Sequence, residues 1–168
     1  MEPTPSRPGC PAATGWRRRR ARLQWGRVSE WLTEARNYWV CTTRPDGRPH
    51  AKPVWGVWLD DQLLFSTHPE TVTARNLQAN PALVVHPESG DQVVIIEGTA
   101  IRLDARPLLA RIRKGYEAKY DWPLGPEELD PSNPDAAYYA VRPRVALSWG
   151  TATEIGETIT RWNVDRSV

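Results

Sequence analysis

Residues 49–77, PHAKPVWGVWLDDQLLFSTHPETVTARNL, decide the fold of this chain. Pro49 and Pro53 each lack a backbone N–H and fix φ, which argues against a helix over residues 49–59. The apolar residues Val54, Trp55, Val57, Trp58 and Leu59 therefore read as strand. Pro53 cannot donate to a ladder, so the strand is either paired on one side only or meets a ligand along its free edge. Gly56 removes a side chain where a flat group could approach the backbone. Asp60-Asp61 reads as a two-residue turn, and residues 62–67 (QLLFST) return as the next strand. Pro69-Glu70-Thr71 opens a helix that Pro81 stops. Ser66, Thr67, Thr71 and Thr73 thus converge on a helix N-terminus, where backbone N–H groups and the helix dipole favour an anion such as phosphate. Ordinary capping of the helix by hydroxyls accounts for the same residues.

Upstream, Val28, Trp31, Leu32 and Ala35 fall on one face of a helix over residues 28–36, with Ser29 near its N-cap. Residues 38–44 (YWVCTTR) are β-branched and aromatic and predict a strand. Pro45-Asp46-Gly47 is a turn signal that joins this strand to 49–59 as a hairpin. Downstream, strands are expected over 82–87 and 92–103, with a bulge or bend at Gly98. Leu108, Ile112, Tyr116 and Tyr120 recur at helical spacing over 104–120, with Asp104 as N-cap. A Pro-rich loop over 121–137 leads to strands over 138–149, broken at Pro143, and 152–163. Six or seven strands in hairpin order, with three inserted helices, predict a mainly β domain closed as a small antiparallel barrel.

The whole chain of 168 residues carries +2, but residues 1–22 hold six Arg and one Glu, a net +5, so the remainder carries −3. The basic pI of about 8.7 therefore belongs to the tail, and the domain offers no basis for nucleic-acid binding. Rich in Pro, Gly and Arg, residues 1–22 are expected to be a disordered tail ahead of one domain over 23–168. Cys10 and Cys41 suggest neither a disulfide framework nor a metal site, and His50, His68 and His86 have no metal-like spacing. No apolar run reaches the roughly 20 residues of a membrane span, which leads to the expectation of a soluble cytoplasmic protein. No nucleophile–base pair is visible to support hydrolysis. Taken alone, Lys52 reads as a snorkelling surface residue, and Trp55, Trp58 and Trp149 as core.

An ordered set of motifs adds to this reading: TRPDGRPH (43–50), PVWG (53–56), LFST (64–67), ARNL (74–77) followed by Asn80-Pro81, and VIIEGTA (94–100). Over about residues 25–163 the set resembles the pyridoxamine 5′-phosphate oxidase-like split-barrel superfamily, and within it the flavin/deazaflavin-dependent oxidoreductases. The resemblance implies a homodimer with two cofactors, FMN or the deazaflavin coenzyme F420, at the subunit interface, with F420 slightly favoured. It implies a cofactor ring along residues 52–57, including Pro53, Val54, Trp55 and Gly56, and a phosphate near Lys52, Ser66 and Thr67. It also implies that Trp149, in VALSW (145–149), reaches the site across the dimer, with Arg161 near it. Where the family commonly has Lys preceded by Arg, this chain has Thr73 and Val72, and Arg75 is the candidate substitute for the missing charge. The function expected from the resemblance is hydride transfer between the cofactor and a small unsaturated molecule. The alternative is a non-catalytic flavin or haem carrier of the same fold, with His50 or His68 as the haem ligand.

Overall fold

A computed structural model of the chain describes residues 4–6, 23–104, 106–125, 130, 133–150 and 158–164. In chain order the elements are β1 (Thr4–Ser6), α1 (Trp25–Glu34), β2 (Tyr38–Thr43), β3 (Pro49–Val54), β4 (Gly56–Leu59) and β5 (Gln62–Thr67). They continue with α2 (Val72–Ala79), β6 (Ala82–Pro87), β7 (Val93–Arg102), α3 (Arg106–Tyr120), β8 (Ala137–Trp149) and β9 (Thr160–Asn163). The nine strands form one antiparallel sheet that curls into a split barrel, with β1-β9-β8-β7-β6-β2-β3 as its main path and β4-β5 attached to β8.

The turns behave as their residues dictate. Asp60 and Asp61 both adopt positive φ (49° and 60°), the left-handed geometry that suits a tight hairpin between β4 and β5. Gly47, at φ 85°, closes the β2–β3 hairpin. The bulge expected at Gly98 is present, as a register shift between Glu97 and Gly98 against β8.

Where the sequence suggested one strand over 49–59, the chain changes partner at Trp55. β3 pairs only with β2, and β4 only with β5. Pro53 therefore sits on an edge strand, where its missing N–H costs no ladder bond. β8 is the spine: its first part pairs with β5, its last part with β9, and its other edge with β7 from Tyr139 to Trp149. The helix expected from residue 28 begins at Trp25 instead, with Gln24 as N-cap. Ser29 therefore lies inside the helix and not at its cap, and its hydroxyl accepts from Trp58 Nε1 at 3.0 Å. Within the tail read as disordered, Thr4–Ser6 pairs with β9; the rest of residues 1–22 lies outside the described residues. The same holds for residues 151–157, the first part of the last predicted strand.

Two apolar clusters hold the fold. One fills the barrel, where Trp25, Val28, Trp31 and Leu32 of α1 pack on Tyr38, Val40, Phe65, Ile96 and Trp162. The other lies outside it, where Leu109, Ile112, Tyr116 and Tyr120 of α3 cover Val57, Leu64 and Ala140. Val57 and Leu64 face α3 while Trp58, Leu63 and Phe65 face the barrel, so β4 and β5 are buried on both faces. That is why QLLFST shows an apolar run and not a clean alternation.

Candidate functional site

The split between β3 and β5 is the centre of the site. The two strands lie side by side without ladder pairing, and Lys52 Nζ donates to Thr67 Oγ1 across the gap at 3.3 Å. Beside this bridge opens a cavity of about 510 Å³, within the range of small-molecule sites. Lys52, Pro53, Val54 and Trp55 line it from β3 and its end, and Ser66 from β5. Tyr116, Trp122 and Leu124 line it from α3 and the segment after it, and Asn133, Asp135, Ala136 and Tyr138 from the approach to β8 and its start.

Hydroxyls tie the Lys52 end of the site to α2. Thr67 Oγ1 lies 3.0 Å from Thr71 Oγ1. The Thr71 hydroxyl donates to His68 O at 2.8 Å and accepts from Ala74 N at 3.2 Å, so it caps α2. His68 Nδ1 accepts from Glu70 N at 3.2 Å, and His68 Nε2 lies 3.6 Å from the Asp135 carboxylate. His50 faces Thr42 Oγ1 at 3.4 Å, and burial, with the nearby Arg44 and Lys52 charges, holds its imidazole below the usual range. Neither histidine is among the cavity-lining residues.

At the other end stand the aromatics. Trp55 and Trp122 remain 39% and 51% exposed and meet edge to face with centroids 6.1 Å apart. Tyr120 stacks on Trp55 at 4.6 Å with an interplanar angle of 6°. Tyr116 Oη donates to the Trp55 carbonyl at 2.8 Å, and burial pushes its phenol up.

Of the sequence-predicted site residues, Lys52, Pro53, Val54, Trp55 and Ser66 line one cavity and Thr67 touches it through Lys52. Three others have a different environment from the one the sequence suggested. Gly56 does not line the cavity: a Cβ there would lie 2.9 Å from Leu63 Cδ1 and from the Leu64 carbonyl, so β5 is what approaches it closely. Thr73 is fully buried against the core side of α2, and its Oγ1 has no hydrogen-bond partner. Arg75, two residues on, is exposed and also outside the cavity lining. Trp149 and Arg161 lie far along the sheet. Ser66 pairs with Tyr138, and Trp149 is eleven residues further on β8, roughly 36 Å of strand path. Arg161 pairs with Leu147 near that same end. Trp122, Asn133, Asp135 and Tyr138 were missed, because only the return of the chain across the barrel mouth brings them to β3.

Cys41 is a free thiol, and no group of three or more metal-ligating side chains occurs among the described residues. No helix among them is long and apolar enough to cross a membrane.

The sequence matches the family model for pyridoxamine 5′-phosphate oxidase over residues 25–150, three quarters of the chain. The chain belongs to that family. Solved structures agree on the fold of this family member. A conserved hypothetical protein of Mycobacterium tuberculosis superposes with TM-score 0.66 at 23% identity, covering 82% of this chain and 90% of the other. An F420 reductase does so with TM-score 0.54 at 27% identity, covering 70% and 94%. A haem-binding protein of Mycobacterium smegmatis gives TM-score 0.61 at 16% identity, covering 79% and 56%. No curated protein sequence matches the chain.

Proposed function

We propose that the chain is an oxidoreductase that holds F420 or FMN in the β3–β5 split and passes hydride between it and a small unsaturated substrate. The observation that carries this reading is the cavity itself: a lysine ammonium and hydroxyls at one end, exposed aromatic rings at the other, and an edge strand between them. Such a lining fits a planar ring with an anionic tail. Lys52 offers a charge-assisted contact to a phosphate, and Ser66 and Thr67 offer hydroxyl donors beside it. Pro53 and Val54, on the free edge of β3, present backbone and apolar surface to a ring. Trp55, Trp122 and Leu124 exclude water from its far side. When bound and reduced, the cofactor supplies the hydride; the protein supplies orientation and a dry site.

Two observations favour F420 over FMN. A structurally similar protein at 27% identity is an F420 reductase. The position where the family carries a phosphate-binding lysine is Thr73, buried and away from the cavity, which weakens the usual grip on FMN.

The reading includes a homodimer that shares its sites. Trp39, Cys41, Val84, Ile95, Leu147 and Trp149 alternate with core residues along β2, β6, β7 and β8. They lie on the outer face of the sheet, interspersed with His86, Glu97 and Arg161, a mixed apolar and polar surface of the kind that a second copy can cover. Trp149 and Arg161, remote from the cavity of their own chain, would approach that of the partner.

The test is the absorbance and mass of the ligand that copurifies, followed by titration of the apoprotein with F420 and with FMN. Binding of either at micromolar affinity or better, with turnover of an unsaturated acceptor, is the expected result. A haem Soret band, or no binding of either cofactor, would overturn it.

A further inference from the structure

We infer that Lys119 and Tyr120 are positioning residues: from the end of α3 they hold the peptide groups of Gly56 and so fix how residues 52–55 face the cavity. The inference rests on the cofactor reading above only for what that strand segment binds.

The need for such a device follows from the topology. β3 leaves β2 and β4 joins β5, so the chain at Trp55 and Gly56 crosses the split with no ladder on one side. β4 is itself an edge strand, and buried peptide groups on its free edge must find partners elsewhere. Side chains of α3 provide them. The Tyr120 hydroxyl accepts from Gly56 N–H at 2.9 Å and lies 2.8 Å from Gly56 O. Lys119 Nζ donates to Gly56 O at 3.1 Å. With the Tyr116 bond to Trp55 O, both peptide units of the crossing are held by one turn of helix.

The clamp is anchored on its far side as well. Lys119 Nζ donates to Tyr38 Oη at 2.9 Å, and Tyr38 Oη donates to Leu32 O at the end of α1. The Tyr120 hydroxyl reaches Arg36 O at 2.7 Å, so its single proton serves that carbonyl or Gly56 O. The Lys119 ammonium is compensated by the faces of Tyr38 and Tyr120, 4.7 and 5.6 Å from the ring centroids. Gly115 permits the close approach, since a Cβ there would lie 2.8 Å from Val57 Cγ1. Apolar residues at 119 and 120 would bury as much surface but leave the Gly56 groups unpaired. The chain beyond α3 then brings Trp122 and Leu124 to the cavity wall, so one element holds the floor and continues into the wall.

The experiment compares the full chain with Tyr120→Phe, Lys119→Met and Lys119→Arg, and with Ile112→Val as a control on the buried face of the same helix. Hydrogen exchange over residues 52–58 is read first. Tyr120→Phe and Lys119→Met should each accelerate exchange there on the order of tenfold, the equivalent of one buried hydrogen bond. Lys119→Arg, which keeps a donor, should recover part of the loss, and Ile112→Val should change exchange there little. Cofactor titration is read second: the clamp variants should weaken F420 or FMN by a similar factor while Ile112→Val does not. Unchanged exchange in the clamp variants, or equal acceleration in Ile112→Val, would overturn the inference. Wild-type protein that binds neither cofactor would overturn the proposed function instead, with the exchange comparison still deciding the clamp.

Discussion

Lys52 Nζ lies 3.3 Å from Thr67 Oγ1, spanning the split where β3 and β5 run side by side without a ladder. This lysine pairs with no carboxylate among the described residues, and it lines the cavity. Its charge is therefore available to a bound anion. Lys52→Ala should lower cofactor affinity about ten- to a hundredfold, from the loss of a contact worth roughly 1.5–3 kcal/mol. The melting temperature should move little. Titration of F420 and FMN against wild type and variant checks this; equal affinities would place the anion elsewhere.

The buried hydroxyl of Thr73 has no partner, although the residue lies in the first turn of α2. Thr73→Val keeps the shape and removes the unsatisfied group, so it should be neutral or stabilising by up to about 1 kcal/mol. Denaturant unfolding reads it. A loss of more than about 1 kcal/mol would mean that the hydroxyl makes a bond that matters.

Gly98 sits where β7 shifts register against β8, and a Cβ there would overlap the Arg142 carbonyl oxygen and lie 3.2 Å from Pro143 Cα. The obstacle is backbone and cannot rotate away. Gly98→Ala should cost at least about 2 kcal/mol, measured by the same unfolding assay. Tolerance of alanine would show that the bulge can relax.

Burial pulls the Lys119 ammonium down to about 8, opposed weakly by the Glu88 carboxylate. Between pH 8 and 10.5 the unfolded chain keeps a proton on this residue that the folded chain has released. Stability from this group therefore rises with pH across that window. Tyr38 and Tyr120, whose phenols burial pushes up, act in the opposite sense above about pH 10. Melting curves from about pH 7.5 to about 9.5 should show wild type gaining on Lys119→Met as pH rises. A constant difference would remove the titration of Lys119 from the account.

A site that draws Trp149 and Arg161 from a second copy requires that copy. Sedimentation should give a dimer, and Trp149→Ala should weaken cofactor binding while sparing the fold. A stable monomer with full cofactor affinity would sink the shared site.

Much of this was legible in the sequence because it is local. Two prolines, a glycine after Pro45-Asp46 and an Asp-Asp pair determine where β2 to β5 begin and turn, since each acts through its own φ or its own missing N–H. Pro53 announced an edge strand and Gly98 a bulge, while the resemblance carried by PVWG (53–56) and LFST (64–67) pointed to Lys52, Pro53, Val54, Trp55 and Ser66 as site residues. What stayed hidden depends on contacts between residues far apart in the chain. That Trp55 is a crossing between two ladders, that Thr73 turns inward, and which peptide groups Tyr116, Lys119 and Tyr120 hold, some sixty positions earlier, were decided by how distant elements pack together. Helical spacing shows that a tyrosine is on the buried face; it does not show which unpaired carbonyl awaits it. That pairing exists only once the barrel has split and left the Gly56 peptide without a strand beside it.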